Sequence, residues 1–165
     1  MLLEILRLTC LAIAAGALLA AAVHDIRSYE IPNRFPVAIA LAFVAISFTG
    51  DLHTALSGLA LGATVFAIGL VLFARRWVGG GDVKLLAAIA LWVAIPFVAS
   101  FALVTSLAGA LLGLILMTPL RRLFPAPPAE LVAITGTAGS LRQPMPFGVA
   151  IAVGGLFALA ARMTV

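Results

Sequence analysis

Six carboxylates stand among 165 residues: Glu4, Asp25, Glu30, Asp51, Asp82 and Glu130. Two of them occupy settings suited to acid–base chemistry. Asp25 follows directly on a long apolar run in Val23-His24-Asp25-Ile26-Arg27, and Asp82 closes Gly79-Gly80-Gly81-Asp82 just before another apolar run, with Lys84 two residues on. Two carboxylates brought within a few ångströms do not both ionise readily, so one keeps a proton. Such a pair can hydrolyse an amide: the ionised acid takes a proton from an attacking water, and the protonated one donates to the carbonyl oxygen and then to the leaving amine. Burial at a lipid boundary raises both pKa values, and Arg27 or Lys84 nearby would oppose that rise. The glycines at 79, 80 and 81 permit positive φ and carry no side chain, so an extended substrate could approach the second acid closely.

Rival chemistries lack their residues. The glycine run is followed by Asp rather than by Lys and Ser or Thr, which excludes a phosphate-cradling loop. His24 and His53 are too far apart to form a ligand set, and the single cysteine, Cys10, rules out an internal disulfide or a Cys-based zinc site. No metal and no cofactor is assigned.

The acids can meet only if the apolar runs around them bring them together. The chain is 64% hydrophobic and 10% charged, with a mean hydropathy of +1.26, which excludes an ordinary water-soluble domain. Apolar runs fall at about 5–23, 35–50, 54–74, 85–95, 97–117 and 147–161. At about 20 residues per span, six spans take roughly 120 positions and leave no room for a soluble domain. The expected fold is therefore all-α and polytopic, with six transmembrane helices in a single membrane domain over 1–165. The uncharged stretch 85–117 would be about 50 Å long as one helix, too long for a hydrocarbon core of roughly 30 Å, so two short spans hinged at Pro96 are expected.

Charge asymmetry gives the orientation. With six spans, Arg27, Arg34, Arg75, Arg76, Lys84, Arg121, Arg122 and Arg142 fall on one side and only Arg7 and Arg162 on the other. Basic residues near span ends collect on the cytoplasmic side, so the termini are expected outside and both acids at the cytoplasmic face. The net charge of +4 thus reads as a topology signal in short clusters rather than a nucleic-acid-binding stripe. Ala20, Ala21 and Ala22 also suit a signal-peptide cleavage site, but Glu4 against Arg7 and the length of the run favour a retained helix.

Smaller features are read as scaffold. Pro32 in Ile31-Pro32-Asn33 marks the start of the second helix with Asn33 as its cap, and Pro146-Phe147-Gly148 starts the sixth. Gly58 with Gly62, and Gly109 with Gly113, have the spacing of close helix contacts. Trp77 and Tyr29 suit the membrane interface, Trp92 suits packing, and Asp51 a solvated turn. The proline-rich stretch 119–146 reads as a cytoplasmic loop, with a candidate short surface helix over Glu130 to Ile134.

Taken together, Asp25 with Ile31-Pro32-Asn33, then Gly79-Gly80-Gly81-Asp82 with Lys84, then Pro146-Phe147-Gly148 resemble the prepilin peptidases, integral-membrane aspartic proteases with a Gly-x-Gly-Asp motif. The compact form is most similar to the tight-adherence (Flp pilus) branch. The resemblance implies that Asp25 and Asp82 are the catalytic pair, with Gly79, Gly80, Gly81, Lys84 and Arg27 around the substrate. It further implies a bacterial inner-membrane enzyme that removes the leaders of type IV prepilins or pseudopilins at the cytoplasmic face, in contact with pilus or secretion machinery. Larger relatives carry an N-terminal extension with paired cysteines associated with methylation. Here only Cys10 lies upstream of Asp25, so neither S-adenosylmethionine nor zinc is assigned. Two other readings compete. In a small ion- or proton-coupled transporter the acids would sit at mid-span rather than at span ends, and a non-enzymatic assembly scaffold leaves the paired acids and the glycine run unexplained.

Overall fold

The structure is a computed structural model that describes residues 1–126 and 145–163. It is all-helical over those residues. The α-helices are α1 (Leu2–Ser28), α2 (Arg34–Ser47), α3 (Leu52–Ala74), α4 (Gly80–Ala90), α5 (Val98–Met117) and α6 (Gly148–Arg162), with 3-10 turns at Ile95–Phe97 and Pro119–Leu123. The six apolar runs thus form six helices in the expected order. Three stretches, Leu2–Ser28, Leu52–Ala74 and Ile95–Met117, are long and apolar enough to cross a bilayer, and α2 and α6 are shorter apolar helices. The candidate helix over 130–134, Arg142 and most of the 119–146 loop lie outside the described residues.

The fourth helix departs from its expected bounds of 85–95. It starts five residues earlier and ends at Ala90, so Gly80 and Gly81 are helical. Gly79 is the extended residue before the first turn, and Asp82 is an acid within that turn. A carboxylate there compensates the exposed N–H groups and the positive end of the helix dipole, which offsets the poor helix propensity of two glycines. The far end stops as the chain turns at Leu91 and Trp92 toward the 3-10 turn that contains Pro96. With 11 residues, α4 is only about 16 Å long.

α1, α2, α4 and α6 form the centre, and α3 and α5 flank it, α3 against α4 and α5 against α6. Leu18, Ile39, Phe43, Leu85, Ile89, Trp92 and Ile151 are fully buried between the central helices. Such packing cannot rely on hydrophobicity alone in lipid, so close backbone approach matters more. α3 supplies it with glycines: a Cβ on Gly58 would lie 2.5 Å from the Leu91 carbonyl oxygen, one on Gly62 2.5 Å from Leu91 Cδ2, and one on Gly69 2.6 Å from Val83 Cγ1. The outward side of α3 leaves Leu56, Leu59, Phe66, Ile68 and Leu70 exposed, as a lipid-facing helix should. On the other flank, Gly109 of α5 admits the Phe147 ring, and Gly154 of α6 admits the Thr105 hydroxyl.

Alternating helix directions gather the C-terminal ends of α1, α3 and α5 and the N-terminal ends of α2, α4 and α6 at one end of the bundle. That end holds Asp25, Asp82 and Gly148. The opposite end holds Arg7, Asp51, Trp92 and Arg162.

Candidate active site

Asp25 lies in the last turn of α1 and is 4% exposed. Its Oδ2 accepts the Gly148 backbone N–H at 2.7 Å. Gly148 is the first residue of α6, so this N–H has no partner within its own helix, and the positive end of the α6 dipole faces the carboxylate. The approach is tight: a Cβ on Gly148 would lie 2.8 Å from Asp25 Oδ2 and 3.1 Å from Ile31 Cδ1. α1 ends one turn later, where Tyr29 takes a left-handed conformation (φ 55°) and its N–H returns to the Asp25 carbonyl at 2.8 Å.

Asp82 comes to the same end in the first turn of α4, with its Oδ2 against Gly79, where a Cβ would lie 3.0 Å away. Burial first, and the charge of Asp25 second, push the Asp82 carboxyl up to about 7, while the Gly79 backbone pulls the other way. The two acids, 57 positions apart in the chain, therefore feel one another across the bundle end. Lys84 is turned elsewhere: its Nζ donates to Asn33 Oδ1 at 2.9 Å. Arg27 is exposed on α1.

Ile31 ties the two acid-bearing segments together. A Cβ on Gly81 would lie 3.0 Å from Ile31 Cβ, and the other end of the same side chain reaches Gly148. The three motifs 31–33, 79–84 and 146–148 thus pack as one unit. The glycine run works differently from its expected role. Gly79 is extended at φ −68° and ψ 144°, and Gly80 and Gly81 are helical, so none uses positive φ. Their small size is what the fold requires, because Gly80 meets the Phe73 ring, where a Cβ would lie 3.1 Å away, and Gly81 meets Ile31. Asn33 precedes α2 in the capping position, but its side chain makes no cap hydrogen bond and instead receives Lys84.

Residues 12–114 of the chain match the model of the type IV leader peptidase family. The chain belongs to that family. The matched stretch covers more than half of the 165 residues. It contains both acids, the 31–33 turn and the glycine run, and it stops before Pro146-Phe147-Gly148. A leader peptidase of this family is a protease, and its apolar helices make this one a membrane protein. Comparison with curated proteins and with solved structures finds no match.

Two features of this candidate site were not visible in the sequence. One is the Gly148 N–H, a main-chain donor that no residue type announces; the proline before the buried helix start was the available signal. The other is His24, whose Nδ1 lies 2.7 Å from Ser28 Oγ and 2.9 Å from the Glu30 carbonyl oxygen. That contact fastens the end of α1 to the chain leading to Ile31.

Proposed function

We propose that this leader peptidase is an aspartic endopeptidase that uses Asp25 and Asp82 to remove the leaders of type IV prepilins or pseudopilins at the cytoplasmic membrane face. The observation that carries the reading is that two acids from different helices, Asp25 buried and Asp82 half-buried, come to the same end of the bundle with unlike hydrogen-bond surroundings. Asp25 is buried and accepts a main-chain N–H at a helix start, whereas the Asp82 carboxyl, half-buried in the first turn of α4, is pushed up to about 7. Unlike environments divide the work. Asp25 acts as the base that takes a proton from water, and Asp82 is the acid that donates to the scissile carbonyl oxygen. Water adds to the carbonyl carbon, the C–N bond then breaks, and the amine leaves with a proton returned by the pair.

The substrate chemistry follows from position. A leader with basic residues ahead of an apolar helix presents its cleavage point at the lipid boundary, where the span-end acids also lie. The eight-to-two bias of basic residues supports a cytoplasmic site, termini outside and an inner-membrane location.

The test is co-expression with a prepilin and measurement of leader removal. Asp25→Asn and Asp82→Asn should each abolish cleavage at unchanged membrane abundance, while Asp51→Asn, which keeps an N-cap for α3, should remain active. Near-normal cleavage by either dyad variant would overturn the reading, and ion flux lost in the same variants would replace it with transport.

A further inference from the structure

The end of the bundle remote from the acids holds a second charged site. Arg7 precedes Asp25 on α1 by 18 residues, about 27 Å along the axis, close to the thickness of a hydrocarbon core. Arg7 and Arg162 line one cavity of about 380 Å³ there. Arg7 Nη2 donates to the Arg162 carbonyl at 2.7 Å, and Arg162 Nη1 donates to the Trp92 carbonyl at 3.1 Å. The Arg162 guanidinium stands 5.7 Å from the ring centroids of both Phe43 and Trp92, which fixes it in place.

The two guanidiniums repel one another. Among the described residues neither forms an ion pair, and each of these five-donor groups makes a single hydrogen bond, to a main-chain carbonyl. Two acids also line the cavity. Asp51 is committed to the start of α3, accepting from Thr54 N–H at 3.0 Å and Thr54 Oγ1 at 3.3 Å, and Glu4 is exposed. Each guanidinium thus keeps N–H donors without a partner among the described residues, and these donors fit the oxygens of an anion from outside the chain. Leu3, Leu11 and Ile46 make part of the wall apolar, which suits an amphiphile better than a free ion.

We propose that the cavity between Arg7 and Arg162 binds the phosphodiester of a phospholipid headgroup, with the acyl chains against Leu3, Leu11 and Ile46. Planar guanidiniums match phosphate oxygens in charge and geometry. The site stands apart from the proposed proteolysis, so its test does not use cleavage. The full chain in a nonionic detergent is titrated separately with phosphatidylglycerol, phosphatidylethanolamine and inorganic phosphate, and read by thermal unfolding and by native mass spectrometry. One phospholipid should stay bound per protein and raise the unfolding temperature, with inorganic phosphate giving a much smaller shift. Arg7→Gln should weaken lipid binding about tenfold, the loss of one charge-assisted hydrogen-bonding group, and Arg7→Lys should restore part of it. Absence of protection of the unmodified chain by either phospholipid would overturn the proposal, as would equal protection by inorganic phosphate or equal lipid binding by Arg7→Gln.

Discussion

The two ends of the bundle solve opposite electrostatic problems. At one end two acids are held among backbone groups: Asp25 against the Gly148 N–H, and Asp82 against Gly79 at the start of α4. At the other end two arginines are held by carbonyls and aromatic faces. Helix direction accounts for the division. The starts of α4 and α6 turn N–H groups and positive dipole ends toward the acids; at the far end the Trp92 carbonyl, just past α4, faces Arg162, and the carbonyl of Arg162, the last residue of α6, faces Arg7. The same pair of helices thus prepares an anionic site at one face and a cationic site at the other, and α4 does so with a length of only about 16 Å. What differs is compensation. The Asp82 carboxyl can keep a proton near neutrality, being pushed up to about 7 by burial and by the charge of Asp25, whereas arginines do not release theirs at any working pH.

That contrast can be broken by experiment. The largest effect belongs to the acids: Asp25→Asn or Asp82→Asn should lower cleavage by about a thousandfold or more, because each removes one half of the acid–base pair. Gly148→Ala comes next. It forces a methyl group toward Asp25 Oδ2, 2.8 Å away, and should reduce turnover about 10- to 100-fold through misplacement of the carboxylate, in a protein that still folds. Titration should then show the proton on Asp82. Asp82 must be protonated to donate, and its carboxyl is pushed up to about 7, so kcat/KM should fall about tenfold per unit as pH rises above roughly 7. A profile flat to pH 9 would remove Asp82 as the acid.

Away from the acids, substitutions should act on folding. Gly58→Ala presses on the Leu91 carbonyl and the Phe43 ring and should cost about 1–3 kcal/mol by overpacking, read as a lower unfolding temperature in detergent. Trp92→Phe deletes the Nε1–H bond to the Ile39 carbonyl, 3.1 Å, and should cost about 1–2 kcal/mol by the same measurement.

Much of this architecture was legible in the residues, for physical reasons. Lipid-facing helices announce themselves by composition, so all six runs became helices, and the uncharged stretch did break, but at 91–94 rather than at Pro96, which sits in the 3-10 turn leading into α5. Asp25 and Asp82 stood out because carboxylates are rare in such a chain. Boundaries were harder. α4 began before its apolar run because Asp82 and the extended Gly79 define its start, and hydropathy does not register a helix cap. The glycines misled in the same way: sequence shows that a side chain is missing but not whether flexibility or closeness required it, and at Gly80 and Gly81 it was closeness to Phe73 and Ile31. The Gly109 spacing did foretell a close contact, although its partner, Phe147, comes from the segment that leads into α6.

The donor facing Asp25 belongs to the polypeptide itself. Almost any codon at position 148 would preserve it, and only proline would delete it. What other residues take away is room. A saturation library at this position should therefore rank its survivors by bulk, indifferent to polarity, with proline failing by more than its volume alone would forecast.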